Sequence, residues 1–259
     1  MGVYSGPANA WSNSTSQNRI DASTKVVVQN NLVLNLDAGA STSYVGSEVT
    51  WTDLSGNSNN GTLTNGPTYN SSNGGSIDLD GTNDFVTVPR SGDFDFGTGN
   101  LTIESWVYLD TYDAEASALV YKTQSSGSAG LACGNSVGSA GLLFMLASDN
   151  TSYTVNVSGG TVTLNRWHHV CMTRVGSTWT CYLNATQVST ATWAGSVSHI
   201  TTGSFGGIGI GAYTSAYGGD VGRYSMDGRV AVARIYKGKG LTAQEVSQNF
   251  NALRARFRI

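Results

Sequence analysis

The feature that most constrains the fold of this sequence is the close spacing of its turn signals. Short segments rich in β-branched and aromatic residues alternate with clusters of Gly, Asn and Ser, such as SGNSNNGT at 55–62. Asn and Gly tolerate the positive φ angles that tight turns require, and turn signals about every 8–12 residues are typical of a β-sandwich. Gly makes up 33 of 259 residues and charged residues only 12%. We therefore expect an all-β globular domain.

Alternation of apolar and polar residues predicts where the strands lie. In LTIESWVYL at 101–109, the odd-numbered residues share one face of a strand, and the even-numbered residues, which include Glu104 and Trp106, share the other. The stretch SIDLDGTNDFVTVP at 76–89 predicts two strands around a tight turn at Asp80-Gly81. Further strands are predicted at 25–37, 49–54, 117–122, 141–147, 152–157, 168–175, 178–184, 186–193, 206–212 and 226–236.

One helix is predicted at the C-terminal end, over 242–257. Thr242 and Glu245 have the spacing of a capping box, in which the side chain of each accepts the backbone N–H of the other. Apolar residues then recur at helical spacing, at Val246, Phe250, Leu253 and Phe257. Three arginines follow in or beyond the last turn: Arg254, Arg256 and Arg258. Two roles stay open for them, a solvated end that suits the helix dipole and a contact with a neighbouring subunit.

The remaining sequence signals bear on location and partners. A net charge of −3 gives no basic face for nucleic acid, and no apolar run approaches the about 18 residues of a membrane span. The first residues have neither the basic start nor the apolar stretch of a secretory signal, so we expect synthesis in a cytoplasm. Residues 1–24 are polar and are expected to form an N-terminal arm outside the main domain at 25–259, docked on that domain or on a neighbour.

The three cysteines, Cys133, Cys171 and Cys181, do not make a disulfide framework. Cys171 and Cys181 flank the turn at 175–178 and are candidate neighbours on adjacent strands. The favoured interpretation is three buried thiols in a reducing compartment, and a bridge between Cys171 and Cys181 is the alternative.

Five segments in the same order resemble the laminin G-like, or concanavalin A-like, superfamily: 51–67, 76–89, 101–110, 166–184 and 227–257. The fourth, RWHHVCMTRVGSTWTCYLN, has a Trp-His pair before a strand, a tight turn and a second strand that ends in Asn. The resemblance implies a two-sheet antiparallel jelly-roll β-sandwich with one C-terminal helix.

The resemblance also implies a function, although one fold hosts many functions. The first expectation is a non-enzymatic structural or surface protein of a bacteriophage virion, such as a head decoration, fibre or spike component. It would be made in the host cytoplasm, assemble with itself and with other virion proteins, and adhere to host glycans. The alternative is a free-standing carbohydrate-binding, lectin-like module. A glycoside hydrolase is the third possibility.

Hydrolysis of a glycan requires an acid and a second carboxylate about 5 Å apart, or farther apart in an inverting enzyme. Glu104 has Thr102 and Trp106, not acids, as neighbours on its face of the strand. Asp113 and Glu115 fall where the strand gives way to a loop. The sequence therefore predicts no catalytic pair and no enzyme.

Glycan binding is predicted from aromatic residues beside polar ones in Gly-rich segments. The loop at 211–227 holds Tyr213, Tyr217, Asp220, Arg223 and Tyr224, and Trp193 lies in a second segment. Such loops mark contact surfaces for sugar or protein. The open alternative is that these tyrosines cover one end of the sandwich.

A structural calcium ion is a further expectation that follows from the resemblance. Members of the superfamily often hold one calcium near Asp-rich turns, and Asp53 in TDLSGNSNNG resembles half of such a site. The acidic residue commonly found on the closing strand is replaced here by Ala231. The alternative role for Asp53 is an Asx turn that caps the loop after it.

Overall fold

The computed structural model of this chain describes residues 26–112, 117–122, 128–134, 142–148, 153–197, 207–214, 221–223 and 225–259. Within them lie eighteen strands and one α-helix, α1 (Ala243–Phe257). The strands are β1 (Leu32–Asp37), β2 (Thr50–Trp51), β3 (Gly61–Thr64), β4 (Thr68–Asn70), β5 (Ser76–Asp80), β6 (Phe85–Val88), β7 (Leu101–Leu109), β8 (Ser117–Lys122), β9 (Ser128–Gly134), β10 (Leu142–Ser148), β11 (Tyr153–Thr161), β12 (Trp167–Val175), β13 (Thr178–Leu183), β14 (Thr186–Thr192), β15 (Ile208–Ile210), β16 (Tyr213–Thr214), β17 (Val221–Arg223) and β18 (Asp227–Lys237).

Two eight-stranded antiparallel sheets hold all but two of these strands. The helix-side sheet has the order β14-β13-β12-β7-β18-β5-β4, with β1 also paired to β18. The opposite sheet has the order β11-β10-β9-β8-β15-β6-β3-β2, and β16 pairs with β17 alone. The predicted fold class, a two-sheet jelly-roll sandwich with a C-terminal helix, is confirmed.

Strand β7 separates two layers of packing, as its alternation predicts. Its odd-numbered residues, including Leu101, Ile103 and Val107, are fully buried in the core between the two sheets. Its even-numbered residues point the other way, and Trp106 is fully buried beside Phe257 of α1. The helix-side sheet is therefore covered on both faces.

Helix α1 begins and packs as the sequence predicts. The Thr242 hydroxyl accepts the N–H of Glu245 at 3.3 Å, and the Glu245 carboxylate accepts the N–H of Thr242 at 2.9 Å. These bonds satisfy backbone donors that a helix start leaves without partners. Phe250 and Phe257 stack on Trp106 at centroid distances of 5.6 and 4.3 Å. The aromatic stripe thus fixes the helix against the outer face of the sheet.

Several predicted strands are shorter in the structure. The strand predicted at 25–37 begins at Leu32, because Asn31 has a left-handed φ of 64° that ends the extended run. The strand predicted at 49–54 is reduced to β2, because Asp53 turns the chain with its own side-chain hydrogen bonds. Strands β3, β4 and β9 were not predicted, and β16 and β17 lie inside the segment expected to be a loop.

The turn at Asp80-Gly81 connects the two sheets rather than two strands of one sheet. Strand β5 belongs to the helix-side sheet and β6 to the opposite sheet. The Asp80 carboxylate accepts the backbone N–H groups of Thr82, Asn83 and Asp84 at 2.8 to 3.3 Å. These bonds lower the pKa of Asp80. The acid is therefore a structural cap for the crossing.

The three cysteines are free and buried, as the favoured interpretation predicted for the thiols themselves. The register pairs Cys171 with Tyr182 and Met172 with Cys181, so the two thiols point to opposite faces of the sheet. Burial raises the pKa of Cys133 and of Cys181 to about 12. The thiols are consequently protonated and unreactive near neutral pH.

The chain ends bear on the predicted arm and tail. The arm at 1–24 lies outside the described residues. The Val28 N–H donates to the side-chain oxygen of Asn249 on α1 at 2.8 Å, so the first described residues dock on the helix. No helix among the described residues is long and apolar enough to span a membrane.

Arg256 is used inside the domain rather than for a subunit contact. Its guanidinium pairs with Asp37 at 2.6 Å and donates to the carbonyls of Asn73 and Gly75. Arg258 adopts a left-handed conformation with φ 58° and caps the helix. Arg256 is thus anchored inside the domain and Arg258 ends the helix, whereas Arg254 is exposed and a subunit contact stays a prediction for it.

Candidate functional site

A groove lies at the edge of the sandwich, between the β1–β2 loop and the chain around β4. Its volume is about 460 Å³, and its lining includes Tyr44, Glu48, Val49, Asn65, Thr68 and Tyr69. The β1–β2 loop supplies the first three of these side chains, and the β3–β4 turn and β4 supply the others. Two loops that are distant in sequence therefore form one concave surface.

Tyr69 forms an aromatic platform in this groove, and its surroundings hold it in place. The rings of Tyr44 and Tyr69 lie 5.6 Å apart at 44°. Tyr44 is buried and donates its hydroxyl to the Glu48 carbonyl at 2.6 Å, while Tyr69 is 36% exposed. Gly46 has φ 90°, and a Cβ there would lie 3.2 Å from Cδ1 of Tyr69. Glycine at 46 thus leaves room for the ring.

The second wall of the groove is a tight turn at Asn65-Gly66. Both residues have positive φ, 71° and 122°, the conformation that makes Asn-Gly a preferred turn pair. The Asn65 side-chain amide donates to the Asn83 carbonyl at 2.8 Å, which ties this turn to the β5–β6 crossing. The wall is therefore built on a fixed part of the scaffold.

The electrostatics of the groove are set by acids. Burial, followed by the charge of Glu48 and by Tyr69, raises the pKa of Tyr44, so its hydroxyl stays protonated as a donor. Asp84 lies behind Gly66, and its carboxylate is 3.7 Å from where a Cβ would be at that glycine. Burial and then the charge of Asp80 raise the pKa of Asp84. The one charged side chain in the described lining of the groove, Glu48, is an acid.

Exposed apolar side chains concentrate on the same surface. Among the described residues, the exposed large hydrophobics are Val26, Val45, Val49, Tyr69, Val175 and Ile259. Three of them, Val45, Val49 and Tyr69, belong to the two segments that form the groove. Clustered apolar exposure next to polar groups marks contact surfaces rather than ordinary surface.

The structure describes three of the six predicted ligand-binding residues, Trp193, Tyr213 and Arg223, and these three lie in two places. Tyr217, Asp220 and Tyr224 lie outside the described residues. Tyr213 and Arg223 face each other in the β16–β17 pair, at the end of the sandwich where β7 finishes. The backbone N–H of Trp193 donates to the Ser177 carbonyl at the other end of the sandwich, where β7 begins. Among the described residues, Trp193 therefore lies at the other end of the sandwich from the β16–β17 pair.

Trp193 packs against the domain, and only part of its side chain is exposed. Its ring lies 5.9 Å from that of Trp179, whose indole N–H donates to the Trp193 carbonyl at 3.0 Å. The Arg174 guanidinium lies 5.0 Å from the Trp179 ring and 5.8 Å from the Trp193 ring. These contacts give Trp193 a packing role, and ligand binding by its exposed edge stays a prediction.

Comparison with protein families places this fold. Residues 80–247 match the family model of the concanavalin A-like lectin/glucanases superfamily. The chain belongs to this superfamily. No functionally curated protein shows significant similarity to the chain.

Solved structures share the fold at low sequence identity. A Trypanosoma rangeli sialidase in complex with 2,3-difluorosialic acid matches with a TM-score of 0.63 and 16% identity, over 89% of this chain and 34% of that chain. Domain 4 of AbnA, an extracellular arabinanase of Geobacillus stearothermophilus, in complex with arabinotriose, gives 0.61 and 16%, over 85% and 98%. Botulinum neurotoxin type C, whose cell entry depends on interaction with two ganglioside molecules, gives 0.64 and 13%, over 87% and 52%. The chain thus spans about a third of the sialidase and about half of the toxin chain.

Calcium is the cofactor expected for this superfamily member, and Asp53 was its predicted ligand. One oxygen of Asp53 accepts the N–H groups of Asn35 and Ser55, and the other accepts the Ser55 hydroxyl and the Asn59 N–H, all at 2.7 to 3.0 Å. A carboxylate has about four acceptor positions, and these donors use them. Asp53 therefore has no acceptor position left for a cation in this arrangement. The bond from the Ser55 N–H to the Asp53 carboxylate forms the Asx turn that was the alternative role for Asp53.

No group of three or more His, Cys, Asp or Glu side chains that could hold a metal occurs within the described parts of the chain. His168 and His169, on consecutive positions of β12, contact Thr163 and Glu104 respectively. They point to opposite faces of the strand and do not share a ligand. Calcium binding elsewhere in the domain stays a prediction.

The glucanases of this superfamily raise the question of catalysis, and Glu104 is the acid that the strand pattern singled out. Glu104 is 1% exposed beneath α1, where it contacts Arg234 at 3.2 Å, Asn249 at 2.9 Å and His169 at 3.3 Å. A substrate does not reach this carboxylate. Asp113 and Glu115 lie outside the described residues.

The opposite sheet offers no acids from its strands. The sequences of β2, β3, β6, β8, β9, β10, β11 and β15 contain neither Asp nor Glu. A pair of carboxylates on one face of that sheet, which a retaining glycanase places about 5 Å apart, is therefore not available from these strands.

Proposed function

We propose that this chain is a non-catalytic glycan-binding domain that holds a sugar ring against Tyr69 in the edge groove. The observation that carries the proposal is the exposed Tyr69 ring, backed by the buried Tyr44 and flanked by the exposed Val49. Sugar rings present apolar C–H faces that pack on aromatic side chains, while amides and carboxylates bind their hydroxyls. Asn65 and Glu48 supply these polar groups.

Proteins of the same fold support a role in carbohydrate recognition. The arabinanase domain carries arabinotriose in its structure, and botulinum neurotoxin type C interacts with gangliosides. Glu104 is hidden beneath α1, and the strands of the opposite sheet contain no acids. Both features favour retention of a glycan without cleavage.

A pair of glycine substitutions tests the platform. Gly46 and Gly56 have φ of 90° and 89°, but a Cβ at Gly46 meets the Tyr69 ring and one at Gly56 meets nothing within 4 Å. Gly46→Ala and Gly56→Ala should therefore lose similar stability, about 1 kcal/mol from the same backbone strain. Only Gly46→Ala displaces Tyr69.

The measurement begins with a glycan array, which selects a ligand, and continues with calorimetric titration of that ligand. We expect Tyr69→Ala to weaken binding at least about tenfold, the loss of a contact of roughly 1.4 kcal/mol. Gly46→Ala should weaken it by less, because its Cβ, 3.2 Å from the ring, shifts Tyr69 without removing it. Gly56→Ala should bind like the unchanged protein. Equal affinities for Gly46→Ala and Gly56→Ala would place the glycan elsewhere on the domain.

We also propose where this binding acts: on the surface of a bacteriophage virion, after synthesis in the host cytoplasm, with host glycans as ligands. The support is the polar segment at 1–24 and the low content of charged residues, 12%. In this proposal, residues 1–24 join the domain to copies of itself and to other virion proteins. Deletion of 1–24 should leave a folded monomer where the whole chain forms an oligomer, as judged by light scattering. A monomer both with and without residues 1–24 would argue for a free-standing lectin-like module instead, and an oligomer of the same subunit number after the deletion would contradict the role of the arm.

A further inference from the structure

The polar side chains that line the groove are either uncharged or acidic. Its polar side chains are Ser47, Glu48, Asn65 and Thr68, together with the two tyrosine hydroxyls. Lys, Arg and His are absent from the described lining, and Glu48 is its sole charged residue. A carboxylate accepts hydrogen bonds from sugar hydroxyls but repels a ligand carboxylate or sulfate.

Acids also dominate the scaffold behind the groove. Asp84 stands behind the Asn65-Gly66 turn, and Asp80 bonds three backbone N–H groups of the adjoining crossing. Hydrogen bonds of this kind stabilise the ionised form of a carboxylate. The charge of Asp80 adds to that of Glu48 on the same side of the domain, whereas burial raises the pKa of Asp84.

The basic group on the Tyr69 side is already neutralised. Arg256 donates to the Gly75 carbonyl, and a Cβ at Gly75 would lie 2.6 Å from the Tyr69 hydroxyl. The same guanidinium forms an ion pair with Asp37 at 2.6 Å and donates to the Asn73 carbonyl. The guanidinium is held by these three bonds, and its charge is paired with Asp37 rather than directed at the groove.

We infer that the groove selects uncharged glycans and rejects sialylated or sulfated ones, with Glu48 as the residue that determines this specificity. The inference rests on the proposed function of the groove. A neutral glycan places hydroxyls at the Glu48 carboxylate and a C–H face on Tyr69. Addition of a carboxylate or sulfate to the same glycan brings two negative charges together at a surface of intermediate dielectric.

The test uses the full chain and pairs of immobilised glycans that differ by one sialic acid or one sulfate. We expect at least about fivefold weaker binding to the anionic member of each pair that the groove recognises, the size of one charge repulsion near a protein surface. Glu48→Gln should narrow this gap, measured as the ratio of the affinities for the neutral and the anionic member of a pair. Added NaCl should narrow it as well, because salt screens exposed charges.

Glu245→Gln is the matched control, because it makes the same change of net charge at the start of α1 and Gln also serves in a capping box. It should leave the gap unchanged. Equal or tighter binding of the anionic glycans, with retention still lost in Tyr69→Ala, would overturn the inference and leave the proposed function standing. An equal narrowing by Glu245→Gln would overturn the role of Glu48. Failure to bind any neutral or anionic glycan would overturn the proposed function itself.

Discussion

Two carboxylates beside aromatic residues, Glu104 and Glu48, occupy opposite environments in this domain. Glu104 is 1% exposed and its oxygens meet Arg234, Asn249 and His169. Glu48 is exposed at the rim of a groove with Tyr44 and Tyr69. The buried acid has all its partners within the chain, whereas the exposed acid has its carboxylate available to solvent or to a ligand.

The contrast between the two carboxylates indicates different roles for the layer beneath α1 and for the groove. A buried charge persists only where hydrogen bonds and an opposite charge replace water, so such a network specifies how elements dock. Asn249 extends the network to the hydroxyl of Tyr236 at 2.9 Å and to the N–H of Val28 at 2.8 Å. The layer beneath α1 therefore locks the helix and the first described residues to the sheet. The groove has no comparable task in folding.

The largest expected effect breaks the buried network. Glu104→Gln leaves Arg234, which is 3% exposed, without its counter-charge. Removal of one partner from a buried ion pair costs about 3–5 kcal/mol, and we expect a loss of that size in the free energy of unfolding by urea. Glu245→Gln removes the ion pair with Lys239, whose two side chains are partly exposed to solvent. That change should cost at most about 1 kcal/mol of unfolding free energy. Equal losses of unfolding free energy in Glu104→Gln and Glu245→Gln would show that the Glu104 network does not hold α1 on the sheet.

The pH dependence of stability sharpens the same comparison. Burial alone would raise the pKa of Glu104, but the hydrogen bond and charge of His169, then Arg234 and Asn249, together lower it. A carboxyl with a lowered folded pKa stabilises the fold above its unfolded value and loses that contribution as the pH falls through the folded pKa. We therefore expect the free energy of unfolding to fall on acidification below about pH 4.5. Urea titrations between pH 7 and 3 measure this.

Glu104→Gln separates this contribution from the other acids. Asp80 also has a lowered pKa, caused first by the N–H of Thr82, so some acid dependence remains in the variant. The slope of stability against pH should be shallower in Glu104→Gln than in the unchanged protein. Parallel curves would assign the acid sensitivity to surface carboxylates such as Asp80.

The buried region was largely predictable from the sequence, and the groove was not. Alternation along 101–109 places Glu104 on the same face as Trp106, and the helical stripe supplies Phe257 to cover them. Periodicity carries that information because the whole layer lies on regular elements. The sequence did not reveal that His169 and Arg234 would meet Glu104, since the strand order β12-β7-β18 brings them together.

Tyr44 and Tyr69 gave no such signal. Tyr69 lies on the three-residue strand β4, whose exposed side chains show no alternation, and Tyr44 lies in a loop. Turn chemistry predicts where loops occur but not which loops adjoin, because adjacency depends on the path of the chain between two sheets. For Trp193 the sequence contained no sign of its packing on Trp179, because an aromatic residue near Gly looks the same in sequence whether it packs or binds.

The smallest expected effect tests whether the groove is rigid before ligand arrives. Tyr44→Phe keeps the ring behind Tyr69 and removes its hydrogen bond to the Glu48 carbonyl, which is worth about 0.5–1.5 kcal/mol. Tyr112→Phe removes a similar bond, at 2.9 Å to the Val162 carbonyl, outside the groove. We expect both variants to lose similar stability in urea, and only Tyr44→Phe to lose a few-fold in glycan affinity, because its loop must then be ordered by the ligand. If both keep full affinity, packing of the Tyr44 ring alone positions Tyr69, and the hydrogen bond contributes to folding rather than to recognition.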